Sequence, residues 1–130
     1  MLTVEIPQDR QVWESAIAHY WWEGDVLISR SKSVLRTLEL MQENARLVKE
    51  ITGGKPAKLL IYLASSPRPD KAVREFSAKV LPELYSSMAM LADDKLVILI
   101  MRLLFALKPA PIPMKSFKDV NAAMMWLKGK

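Results

Sequence analysis

The chain has 130 residues, enough for one domain with a core of its own, and its 51% hydrophobic and 25% charged residues exclude a disordered polymer. It has no cysteine, which excludes a disulfide framework, a thiol nucleophile and a thiolate metal site. The net charge of +5 gathers late, with seven bases from Lys95 onward against Asp119 alone. These bases are scattered and no aromatic-and-basic signature accompanies them, so a solvated surface is expected and nucleic-acid binding is not.

A single domain over residues 1–130 is expected, with 1–12 as a loosely ordered N-terminal segment. Glu5, Pro7 and Asp9 break any basic-then-apolar pattern of a signal peptide, so the expected location is cytoplasmic. Ser15 to Ser31 read as a β-hairpin. Ile17, His19 and Trp21 alternate with Ala18, Tyr20 and Trp22, and Glu23-Gly24-Asp25 supplies the turn. From Thr37 the period changes to that of a helix, with Leu38, Met41, Ala45, Val48 and Ile51 on one stripe. Arg46 and Glu50 stand one turn apart and can pair on the outer face, and Gly53-Gly54 end the helix.

Lys58 to Ala64 is an apolar run of strand length, suited to a strand buried on both faces after a β-α-β crossover. The loop Ser65-Ser66-Pro67-Arg68-Pro69-Asp70 leads into a second helix through Val73, Phe76 and Val80, which Pro82 is expected to close. Met88 to Ala92 suit a short strand. Residues 95–107 are apolar nearly all round, and periodicity does not separate helix from strand there. Asp93-Asp94 in front favour a helix, which is the reading adopted. It is too short for a bilayer, which needs roughly 20 apolar residues, so no transmembrane segment is expected. Pro109, Pro111 and Pro113 end it, Met114 to Lys118 suit an edge strand, and a last helix buries Val120, Ala123, Met124 and Leu127 behind an Asp119 cap.

Catalytic chemistry is sparse. His19 is the one histidine, read as structural on a strand rich in tryptophan. Thr52-Gly53-Gly54-Lys55 follows a helix and precedes a strand, the reverse of a phosphate loop, so it is a helix exit. Glu23 and Asp25 flank a turn. No metal site and no cofactor are expected.

The element order is β-β-α-β-α-β-α-β-α, and at this point a family resemblance emerges. Tyr20-Trp21-Trp22-Glu23-Gly24-Asp25-Val26-Leu27-Ile28, the exit Thr52-Gly53-Gly54, the strand Leu59-Leu60-Ile61-Tyr62-Leu63 and the ending from Lys108-Pro109 through Trp126-Leu127-Lys128 resemble the small stand-alone STAS-like proteins, in the superfamily of the bacterial anti-sigma-factor antagonists. The resemblance runs over most of the chain from about His19. It implies an α/β fold with a mixed four- to five-stranded sheet and helices mainly on one face. It also implies a non-enzymatic regulatory role, with binding residues at Ser65, Ser66, Asp70 and Lys71. In the antagonists an Asp-Ser pair opens the helix after the central strand, and phosphorylation of that serine switches partners. Here the acid falls on Asp70 and the next residue is Lys71, which accepts no phosphate ester, so the usual phosphoacceptor is missing.

The leading expectation is therefore a non-catalytic regulatory or protein-interaction module, in the form of a homodimer. Candidates for the interface, or for apolar-ligand contact, are Leu96, Leu99, Ile100, Leu103, Leu104 and Leu107 with Trp21 and Trp22. Strand residues alternate faces, so the two tryptophans cannot share one core. The alternative is an apolar small-molecule or lipid-binding protein with Met88, Met90, Met124 and Met125 as adaptable lining.

Overall fold

The computed structural model describes residues 4–92 and 111–130. Within them the chain forms β1 (Trp13–Glu14), β2 (Ala18–Glu23), β3 (Val26–Ser31), α1 (Leu38–Thr52), β4 (Ala57–Tyr62), α2 (Lys71–Leu84), β5 (Tyr85–Leu91), β6 (Met114–Phe117) and α3 (Val120–Lys128). The six strands lie side by side in chain order. β1, β2 and β3 are antiparallel neighbours, and β3 through β6 run parallel. The sheet exceeds the expected strand count by β1, a two-residue pairing of Trp13 with Tyr20 and Glu14 with His19 that is too short to leave a period in the sequence.

The hairpin closes on a two-residue turn, since Glu23 pairs with Val26. Gly24 sits at φ 60° and Asp25 has no positive φ, as suits a type II′ loop with glycine first. Ser15 lies outside β2. Its Oγ accepts from the backbone N–H groups of Ile17 and Ala18, a local turn that delays the strand to Ala18.

α1 begins at Thr37, whose hydroxyl accepts from the Leu40 N–H, and ends at Gly53 in the left-handed region with φ 69°. Its ion pair is Lys49 to Glu83 of α2 at 2.9 Å, while Arg46 and Glu50 do not reach each other. Pro82 does not close α2, which runs on to Leu84 and passes directly into β5. Proline this near the end forfeits one hydrogen bond of the final turn, and the burial of Val80, Leu81 and Leu84 holds that turn in place.

The sheet separates two cores. On the first face, Ala45 and Val48 of α1 and Val80, Leu81 and Leu84 of α2 pack on Tyr20, Leu27, Leu59, Met88 and Met90. On the second, Ala123 and Leu127 of α3 pack with Trp21, Val26, Ile28, Leu60, Ala89 and Leu91. Val4, Ile6 and Val12 from the irregular residues before β1 rest on the same cluster. Two of the three described helices thus share one face, in line with the expected layering. The helix expected over 95–107, with Leu96, Leu99, Ile100, Leu103, Leu104 and Leu107, lies outside the described residues.

Candidate functional site

β3, β4 and β5 run parallel and end at the same edge of the sheet, where open α/β sheets place their ligand crevices. The loop after β4 starts here, tethered by the Leu63 N–H donating to the Leu91 carbonyl at 2.9 Å. Ser65, Ser66, Pro67 and Arg68 stand exposed. The loop closes on Asp70, the N-cap of α2, whose Oδ1 accepts from the Val73 N–H at 3.0 Å. Arg74 anchors the same end by donating to the Pro69 carbonyl at 2.9 Å. Lys71 is exposed, with its Nζ 3.7 Å from Glu75. The structure therefore brings Ser65, Ser66, Asp70 and Lys71 into one exposed loop and helix start.

Beside this loop lies a cleft of about 420 Å³ lined by Val4, His19, Arg30, Ser31, Lys32, Ser33, Tyr62, Leu63 and Ala64. Its floor follows from strand register. His19 of β2 pairs with Arg30 of β3, and Arg30 with Tyr62 of β4. Paired residues point to the same side of a sheet, so the three side chains form a row across three strands. One row further in, the same face is Trp21, Ile28, Leu60 and Ala89, all buried in the second core. The sheet thus changes from apolar to polar one step before its end.

The groups around this row differ in how they are held. Glu14 of β1 takes an ion pair from Lys32 and stands 3.4 Å from His19 Nε2. The hydrogen bond from Lys32 keeps the Glu14 carboxyl below the usual glutamate range, with the charge of Lys32 and then of His19 adding to the effect. Lys32 also donates to the Ser15 carbonyl at 2.9 Å. His19 Nδ1 is buried without a hydrogen-bond partner. Burial pushes the Tyr62 phenol up, and the charge of Glu23 acts in the same direction. Arg30 is exposed and makes no hydrogen bond or ion pair among the described residues.

The remaining expected residues do not converge here. Trp21 is 1% exposed in the second core, so within one chain it presents no surface. Trp22 packs half-buried on the first. Met88 and Met90 fill the first core, Met124 rests on the second, and Met125 is 73% exposed. Arg30 and Tyr62 escaped sequence reading, although Arg30 left one signal as a charged tip on a strand otherwise apolar on that face; Tyr62 left none, because its face of β4 also carries Lys58. Among the described residues no group of three or more His, Cys, Asp or Glu could hold a metal ion. Nor is any described helix long and apolar enough to cross a membrane.

A comparison with solved structures finds the crystal structure of an uncharacterized protein of the DUF3478 family with a SpoIIAA-like fold, from Shewanella loihica. It aligns over 90% of both chains with a TM-score of 0.55 and 18% sequence identity, a likeness of fold. The STAS-like resemblance read from the sequence therefore holds for the architecture. No curated protein matches the chain. A family model described as a domain of unknown function, DUF7793, matches residues 20–130, from Tyr20 in β2 onward, and the chain belongs to that family.

Proposed function

We propose that this chain is a non-catalytic regulatory module that binds another protein through the loop 65–70 and the first turn of α2, and that it works as a homodimer. The observation that carries the reading is the exposure of Ser65, Ser66 and Arg68 directly before a helix capped by Asp70. That is the place where the anti-sigma antagonists, which the sequence resembles, carry the serine whose phosphorylation switches partner binding. The SpoIIAA-like fold of the aligned structure supports the comparison. With Lys71 after the acid, control by a phosphate ester at that position is not available, and binding at the loop is constitutive or set by other means. Dimerisation is supported by the sequence of residues 95–107, which is apolar on nearly every side. Carriage of an apolar small molecule or lipid has less support, because the four methionines that would line the cavity are divided between two cores and solvent.

A photoreactive residue at Ser66 tests the contact edge. It should give a discrete covalent adduct in the native host, lost with Arg68→Glu, while a label at Lys55, at the opposite end of β4, gives none. Equal labelling from both sites would overturn the reading. Sedimentation velocity should report a dimer and Leu103→Glu a monomer. An unchanged dimer would remove that segment as the interface.

A further inference from the structure

We infer that the cleft over His19, Arg30 and Tyr62 is a binding site for a small organic oxyanion, a phosphate or carboxylate carried on a compact apolar body. Its volume of about 420 Å³ lies within the roughly 300–1,000 Å³ of small-molecule sites. None of its described lining residues is an acid. The neighbouring carboxylate, Glu14, is held by Lys32 and faces His19, which leaves Arg30 as the uncompensated charge among the described residues of the cleft.

The contrast among cations makes the case. Lys32 is engaged by Glu14 and the Ser15 carbonyl, and Arg36 donates to the carbonyls of Lys32 and Val34 at 2.9 and 2.7 Å. Both brace the chain between β3 and α1. Arg30 braces nothing, yet register fixes its place between His19 and Tyr62. A guanidinium is a planar fork that matches the two oxygens of a carboxylate or phosphate. Ser33 adds a hydroxyl donor at the same wall. On the other side, Val4, Ala64 and the ring of Tyr62 offer an apolar wall, where the ligand's carbon body lies. The inference does not depend on the interaction reading, because the loop 65–70 contributes no residue to this lining.

The test is an amide NMR titration of the full chain with phenyl phosphate and with benzoate, each to about 10 mM. Inorganic phosphate and phenol serve as the separating arms. Saturable shifts at the amides of Arg30 to Ser33 and of Leu63 and Ala64 are expected with at least one aryl anion, and which of the two binds tighter identifies the oxyanion. Arg30→Gln should weaken binding by about tenfold or more, and Arg68→Gln, in the adjoining loop, should leave it unchanged. If Arg30→Gln does not fold, Arg30→Lys keeps the charge without the fork and should still bind more weakly than the parent. Absence of saturable shifts with both aryl anions would overturn the site, as would equal affinity in the Arg30 variants. Binding of inorganic phosphate as tightly as phenyl phosphate would remove the apolar wall from the proposal. Equal binding of phenol would remove the anion.

Discussion

Tyr20 of β2 donates its hydroxyl to Asn44 Oδ1 of α1 at 2.8 Å, inside the first core. Ser15 Oγ donates to the same oxygen at 2.8 Å, so one amide gathers the start of the sheet and the middle of the helix. Asn44 sits at a position where the helical stripe calls for an apolar residue, and it is 6% exposed. Replacing it with alanine leaves the buried phenol without its acceptor. The expected cost is about 1–3 kcal/mol, seen as a lower midpoint in urea unfolding. Tyr20→Phe should cost less, because Asn44 keeps the Ser15 donor. Equal losses from both variants would show that the amide's role is packing rather than acceptance.

Tyr20 and Tyr85 should contribute to the alkaline limit of the fold. Burial raises both phenols above the ordinary tyrosine value of 10.0, and Tyr85, close to Tyr20, is raised well above it. In the unfolded chain both ionise near 10.0, while in the folded protein they resist. Their contribution to stability is therefore full below pH 10 and is lost as pH rises from there through the folded values. Phenolate absorption from these two residues should appear together with unfolding rather than before it. Tyr85→Phe should move the alkaline transition to higher pH.

On the acid side, Glu14 has the opposite sign. Its carboxyl is held below the usual value by Lys32, so its contribution is present above the unfolded pKa and is lost as pH falls through the folded one. Glu14 is exposed on the short edge strand, and the effect is correspondingly small. Melting temperatures measured from neutral to acid pH should fall less steeply for Glu14→Gln than for the parent chain. Parallel curves would show that Glu14 ionises alike in the folded and unfolded states.

Gly53 isolates backbone strain from crowding. A Cβ there would meet nothing within 4 Å, yet φ is +69°. Gly53→Ala should cost about 1 kcal/mol through the left-handed conformation alone, with Gly53→Asn recovering part of it. Thermal unfolding of the three proteins gives the order directly.

Much of the architecture was legible because local chemistry and tertiary packing agree. Leu59 and Leu60 are buried on a strand paired on either side, and the stripe through Ala45 and Val48 meets a double glycine where α1 stops. Where the two disagree, reading failed. β1 exists only because β2 offers it an edge, so Trp13 and Glu14 carry no period of their own. Pro82 is a breaker by local rule, but Leu84 beyond it is needed in the core, and burial prevails. The row His19, Arg30, Tyr62 was illegible for a different reason. The hairpin turn sets His19 level with Arg30, but Tyr62 joins them through the register of β3 against β4, which depends on how the α1 crossover packs and not on any spacing along the chain.

Because the strands lie in the sheet in the order in which the ribosome delivers them, the domain is suited to assembly during its own synthesis. The hairpin needs no distant partner, and β4 then meets an edge already in place. The two faces do not mature together. α1 and α2 emerge with the strands they cover, whereas Leu60, Ala89 and Leu91 wait for Ala123 and Leu127 near the C-terminus. A nascent chain halted before α3 therefore leaves that sheet face without the helix that covers it among the described residues, with Val4, Ile6 and Val12 resting on part of it.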